Sequence, residues 1–277
     1  MKIALLGAGG KMGCRITDNL KKTTYEVRHV EISERGKLAL AARGVSTVKT
    51  EEALDGASVV ILALPDHRIG SVTSSIEHLL QAGTLVIALD IAAPLAGMLP
   101  KREDLHYFVT HPCHPSIFSF DADPEAQRDF FGGQHARQNI VCCLFQGSES
   151  AYELGERVAR AIYAPVDKAY RCTAEQMAIL EPVLSETVLG TCLTIIREAL
   201  DESVRRGVPP DAARDFLFGH LKVELAIVFE LFEGAAFSDG AMKAIEEAKK
   251  VLFKPDWKRV FDPDAILQSI HKIAEDS

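Results

Sequence analysis

Short apolar runs recur through the first half of the chain: KIALLG (2–7), EVRHVEI (26–32), SVVILAL (58–64), TLVIALD (84–90), HYFVTH (106–111) and NIVCCLF (139–145). Helical patterns fill the intervals. Strands buried on both faces and joined by helices require a mostly parallel sheet covered on two sides, which is a doubly wound α/β domain. After residue 148 the strand-like runs stop and helical patterns continue to the end. The expected organisation is therefore a sheet domain over 1–147 and an all-α part over 148–277.

The helical part carries its own constraint. Thr173 followed by Gln176 fits a capping box, and the pattern then runs to Arg206–Gly207 with Gly190 as its only glycine. A helix of about 34 residues would be ~50 Å long, more than one small domain spans. The next helical segment, DFLFGHLKVELAIVFELF (215–232), is apolar around most of its circumference and so demands burial on nearly all sides. A helical part this small cannot provide that alone. A homodimer is expected, because obligate interfaces resemble a domain core cut in half. Pro209–Pro210 reads as the turn between the helices.

With 277 residues, 47% of them hydrophobic, the chain can bury one large core or two ordinary ones. Its net charge of -8 comes from 39 acids and 31 bases that are scattered, leaving no footprint for nucleic acid or an anionic membrane. Small-molecule partners are expected instead. The six cysteines form no CxxC pair and two of them, Cys142 and Cys143, are adjacent, which argues for reduced thiols over a disulfide framework. The four-residue apolar run in the opening MKIALLGAGG is too short for a signal-peptide core, and no apolar run is expected to approach the ~20 residues of a bilayer span. A soluble, cytoplasmic protein is expected.

The first apolar run leads into GAGGKMG, placing Gly7, Gly9, Gly10, Lys11, Met12 and Gly13 between a strand and a helix. Glycines there let the turn tighten and bring the helix N-terminus against a pyrophosphate. Glu31 follows 18 residues after Gly13, about where an acid grips the adenosine ribose hydroxyls and repels a 2′-phosphate. NAD is the expected cofactor, with Arg35 a turn later as the contrary sign. Asp66, in Leu64-Pro65-Asp66, is expected at the nicotinamide half of the cleft.

HYFVTH ends at His111, where ligands gather outside the carboxyl ends of a doubly wound sheet. In THPCHPSIF, Pro112 and Pro115 forbid helix and fix φ, so His111 and His114 project from a stiff loop. They are candidate catalytic groups; the plainer reading is a braced turn whose imidazoles satisfy nearby carbonyls. Cys113 reads as spacing. On the long helix, Met177, Leu184, Val188 and Ile195 form an apolar stripe at 100° per residue, and Glu181 falls inside it, directly before the helix-disturbing Pro182. A buried acid needs a partner or a metal. His220 and Glu224 form an i, i+4 pair on the next helix, open to structural, metal-binding or substrate-binding roles.

With GAGGKMG and THPCHPSIF on view, the chain resembles the phosphogluconate-dehydrogenase-like branch of the β-hydroxyacid dehydrogenases over nearly its whole length, and within it the D-apionate oxidoisomerases. The resemblance implies a Rossmann-type domain joined to a helical dimerisation domain. It also implies a catalytic lysine early in the first long helix, but QMAILEP (176–182) carries Ile179 and Leu180 there, with Glu181 as the ionisable group. A divalent metal (Zn, Mg or Mn) held by His111 and Glu181 would replace that lysine. The implied activity oxidises a branched sugar acid at C2 with NAD and then moves a hydroxymethyl group, taking D-apionate to 3-oxo-isoapionate. Two alternatives stand beside it: a simple NAD-dependent hydroxyacid dehydrogenase with His111 as base, and a catalytically silent NAD sensor. Lys222, Lys254 and Arg259 are candidate partners for the substrate carboxylate.

Overall fold

A computed structural model of the chain describes residues 1–274. Seven strands form one sheet in the order β2-β1-β3-β4-β5-β6-β7: β1 (Lys2–Leu6), β2 (Glu26–Val30), β3 (Val59–Leu62), β4 (Leu85–Ala88), β5 (His106–Pro112), β6 (Gln138–Gln146) and β7 (Val166–Arg171). All neighbours are parallel except β5 and β6. Alternation sorts the core onto two faces. Ile3, Leu5, Val59, Ile61, Leu85 and Ile87 pack on one side with Ile16 and Leu20 of the first helix, α1 (Lys11–Leu20). Ala4, Leu6, Val60, Leu62 and Val86 pack on the other with Ile69 and Ile76. Phe108 is fully buried against Tyr152, and Gly155 makes room for its ring: a Cβ there would lie 2.4 Å from Phe108 Cδ2.

The sheet continues past the expected boundary at residue 147. Helix Glu149–Ile162 packs on it through Val158, Ala159 and Ile162, and β7 extends it beyond β6. As the last strand of the order, β7 (VDKAYR) buries no residue fully, so it lacks the doubly apolar signature of the others. The chain divides into two compact units: Met1–Glu181 together with the chain from Ile266 onward, and Pro182–Ala265.

The capping box forms as expected: Thr173 Oγ1 accepts the Gln176 N–H at 3.2 Å, and Gln176 Oε1 accepts the Thr173 N–H at 2.9 Å. Helix Ala174–Arg205 follows, and its stretch Ile179–Gly190 is wound as a π-helix containing Pro182. Thr187 Oγ1 donates to the Pro182 carbonyl at 2.7 Å, across five residues. Within the single chain the expected stripe is buried only at its start: Met177 is 1% exposed, but Leu184 is 48% and Ile195 37% exposed. Wider winding changes the angle per residue, so 100° arithmetic no longer predicts a face.

In the second unit, Pro210 opens helix Pro210–Val228 as its first residue, and of that helix only Ala213 is buried within the chain. Phe216, Phe218 and Val228 are exposed, as are Leu189 and Leu193. Among the described residues one helix, Ala174–Arg205, is long and apolar enough to span a bilayer by length and composition, although Glu181 and Glu186 interrupt it.

Candidate active site

The order β2-β1-β3 places a topological switch at the end of β1, where the chain enters the glycine turn. Gly7 has φ +76°, and a Cβ there would stand 2.2 Å from the Ala63 carbonyl oxygen. A Cβ on Gly13 would meet the Gly7 oxygen at 2.2 Å, so α1 packs directly onto the turn. No side chain caps α1 at Gly10. The first-turn N–H groups of Lys11, Met12 and Gly13 are those a helix leaves without internal partners, and they suit a phosphate.

Glu31, just past β2, accepts from the Gly9 N–H at 2.9 Å and from the Ser33 N–H and hydroxyl at 2.8 and 2.9 Å. Burial would raise its pKa, yet the donors of Ser33 and Gly9 hold the carboxyl below the ordinary carboxylate range. Gly7, Gly9, Gly10, Lys11, Met12 and Glu31 line one cleft of about 1180 Å³, with Arg35 and Arg68 also on its wall. Gly13 lies behind it as packing. The wall near the end of β3 is Leu64 and Pro65, while Asp66 opens helix Asp66–Ile76.

A second constellation forms at the carboxyl ends of β4 and β5. Ala88 pairs with Val109, and continuing that parallel register by two residues sets Asp90 level with His111. Met177 anchors the long helix to the same region, packing with Ala88, Ile91, Val109 and Cys143, and Glu181 follows one turn later. One donor atom each from Asp90, His111 and Glu181 lies within 4.8 Å of the others. The sequence reading brought His111 and Glu181 together and missed Asp90. Asp90 looked like the polar end of a buried strand, and only the β4–β5 neighbourhood reveals what it faces.

The chemistry of the three groups suits a cation. His111 Nδ1 lies 2.9 Å from the Pro112 carbonyl oxygen, which can only accept, so the proton sits on Nδ1 and Nε2 keeps its lone pair. Burial is the largest influence on His111 and holds its pKa below the ordinary imidazole value; the Asp90 carboxylate pulls the other way and His114 adds to the lowering. Asp90 Oδ1 accepts the Ala92 N–H at 2.7 Å. One neutral imidazole and two carboxylates can hold a hard or borderline divalent ion.

His114 has φ +60° and sits edge-on to both His111 and Phe131, with ring centroids 5.9 and 5.8 Å away. Cys113 belongs to the ladder, its N–H donating to the Asn139 carbonyl at 2.9 Å, and burial pushes its thiol up, away from thiolate. Reading Cys113 as spacing is consistent with that. All six cysteines are free thiols. His220 lies in the second unit, stacked 3.9 Å over Phe216 with Nδ1 2.8 Å from that residue's carbonyl oxygen, a local structural contact. His220 and Glu224 line one cavity between helices of that unit.

Comparison with known proteins agrees with this architecture. The family described as phosphogluconate dehydrogenase (decarboxylating), C-terminal, matches residues 120–274, and the one described as NADP oxidoreductase, coenzyme F420-dependent, matches residues 2–94. Two D-apionate oxidoisomerases are 55% identical: that of Cupriavidus necator, with 98% of this chain and 99% of the relative covered, and that of Rhizobium rhizogenes, with 98% of each. A crystal structure from Cupriavidus necator, described as a semialdehyde dehydrogenase NAD-binding protein in complex with calcium and NAD, superposes with a TM-score of 0.96 at 55% identity over 98% of this chain and 99% of that one. An NADH-preferring ketol-acid reductoisomerase from an uncultured archaeon shares the fold, with a TM-score of 0.69 at 17% identity over 99% of this chain and 82% of that one. Near-full-length identity at this level places the chain: it belongs to the D-apionate oxidoisomerase family, within the phosphogluconate-dehydrogenase-like oxidoreductases.

Proposed function

We propose that the chain is an NAD-dependent oxidoisomerase that converts D-apionate to 3-oxo-isoapionate, with a divalent metal held by Asp90, His111 and Glu181. The observation that carries the reading is the convergence of these three donors within 4.8 Å at the ends of β4 and β5. The relatives' activity and the calcium and NAD of the Cupriavidus necator structure support it. The glycine cleft fits the dinucleotide, since it joins an uncapped helix N-terminus to a carboxylate set for ribose hydroxyls.

When bound, NAD supplies the hydride acceptor. A divalent metal in the donor set supplies Lewis acidity toward the oxygens on C2 and C3. The protein's own groups do the rest. The N–H groups of Lys11 and Met12 hold the pyrophosphate, and Glu31 holds the adenosine ribose. His114 Nε2 takes the proton as the C2 hydroxyl is oxidised. In the second step the C3 hydroxyl gives up its proton, a hydroxymethyl group moves with its bonding pair from C3 to C2, C3 becomes a ketone, and the C2 oxygen regains a proton. An imidazole within reach of both oxygens can carry that proton.

The exposed apolar helices of the second unit support a homodimer in which a second copy, not lipid, covers Leu193, Phe216 and their neighbours. A reduced, cytoplasmic setting accords with six free thiols. Purified protein with NAD and D-apionate, with and without chelator, tests the function. NADH should form together with a rearranged product, and chelator should stop both. An unrearranged 2-oxo acid as the product contradicts the isomerase step, and activity that survives complete metal removal favours the simple dehydrogenase.

A further inference from the structure

Arg15 of α1 lines the dinucleotide cleft, yet its guanidinium reaches across to a distant turn. It donates to Asp129 Oδ1, to the Gly132 carbonyl and, at 3.4 Å, to Gln134 Oε1. Asp129 is buried, and its Oδ2 accepts the N–H groups of Gln134, His135 and Ala136 at 3.0, 2.9 and 3.2 Å. The turn closes on a carboxylate that Arg15 pins from the other side. Between the two anchors lies Phe131. Its ring centroid is 5.7 Å from the Arg15 guanidinium carbon, and its carbonyl oxygen lies 2.9 Å from His114 Nδ1. Phe131 and Gln134 also line the cleft shared with Gly9 and Lys11. One turn thus touches the cofactor cleft with its side chains and the imidazole with its backbone.

A carbonyl oxygen only accepts, so this contact places the His114 proton on Nδ1 and leaves the lone pair on Nε2. The local backbone does not favour the arrangement, because φ +60° is a left-handed conformation that a residue with a Cβ adopts only when its surroundings hold it there. We propose that Arg15 and Asp129 are positioning residues: through the Phe131 carbonyl they select the His114 tautomer, and they make that selection respond to dinucleotide in the cleft. For its effect on turnover the inference rests on His114 acting as the base above; the tautomer itself does not depend on that reading.

Full-length protein labelled with 15N-histidine, free of metal and with or without NAD, gives the test through imidazole 1H–15N correlations. In the unsubstituted protein His114 should show the Nδ1–H tautomer and shift when NAD is added. Arg15→Met should show both tautomers and no NAD response at His114, with the buried His29 signal unchanged as a check of fold. Its kcat should fall about tenfold, the scale of losing an outer partner of a site residue. Arg15→Lys keeps the charge without the fork and should fall between the two. An Nε2–H tautomer in the unsubstituted protein overturns the proposal, as does an unchanged His114 pattern in folded Arg15→Met. If that variant does not fold, an unchanged pattern in Arg15→Lys overturns it. Full turnover by His114→Gln would remove the base from the mechanism and leave the tautomer result standing, so the two failures are distinguishable.

Discussion

At the scale of single residues, Asp90 and His111 of the candidate metal site each hold a backbone contact of their own, which a careful substitution can keep. Asp90 is the clearest case. Asp90→Asn keeps an oxygen for the Ala92 N–H and removes the charge, so folding should survive. Metal affinity, measured by calorimetry, should weaken at least tenfold, roughly the loss that even an outer-shell change causes. Glu181→Gln should behave likewise and lower kcat/KM about a hundredfold or more, since Lewis acidity is worth several kcal/mol. An unchanged affinity in both variants would remove these residues from the site.

A different residue contributes to acid sensitivity. His29 on β2 is buried, and burial, reinforced by Lys21, lowers its pKa below 6.5. The unfolded chain therefore binds a proton more readily than the folded one, and the stability contributed by neutral His29 is present above the unfolded pKa and lost as pH falls through it toward the folded value. Urea midpoints should fall between about pH 7 and pH 5, and His29→Leu should flatten that slope. An equally steep slope in the variant would place the acid sensitivity elsewhere.

At the scale of elements, the π-wound stretch links Glu181 to the rest of the long helix. Pro182 offers no N–H to the turn before it, and in the turn after it the Pro182 carbonyl accepts the Thr187 hydroxyl. Thr187→Val should cost about 1 kcal/mol of stability, seen as a lower Tm, and loosen metal binding more than a Ser203→Ala control, which removes a hydroxyl-to-carbonyl bond farther along the same helix. Equal effects of the two would show that the hydroxyl does not hold the segment.

What the sequence reveals follows the same division. Six of the seven strands stand out because they are apolar and bounded by turns, and the capping box marks Thr173 because its chemistry is local. β7 does not, because a strand with no fully buried residue carries a polar pattern. Asp90 is hidden for another reason: its role depends on β4 lying beside β5, a fact of topology that no local spacing encodes. The helical arithmetic reached Glu181 because it lies only four residues past the buried Met177, near the start of the π-winding, where little error in the angle has built up. His111 was legible as the end of an apolar strand and His114 as a residue held between two prolines, but their tautomers needed the carbonyls of Pro112 and Phe131.

At the scale of the whole molecule, the amount of apolar surface left on the second unit sets the association state. Phe216 is 68% and Leu193 49% exposed in the single chain, more apolar surface than an isolated helical unit sustains in water. Sedimentation velocity should give twice the chain mass, and Leu193→Asp with Phe216→Asp should give monomer or aggregate. A monomeric unsubstituted protein would contradict the assembly.

The account as a whole depends on Asp90, His111 and Glu181 sharing one ion. Crystals grown with manganese and NAD, measured at a wavelength where manganese scatters anomalously, give the direct reading. The account predicts one strong peak within coordination distance of all three side chains, on His111 Nε2 rather than Nδ1. A fully occupied peak elsewhere, or none here at saturating manganese, would contradict it.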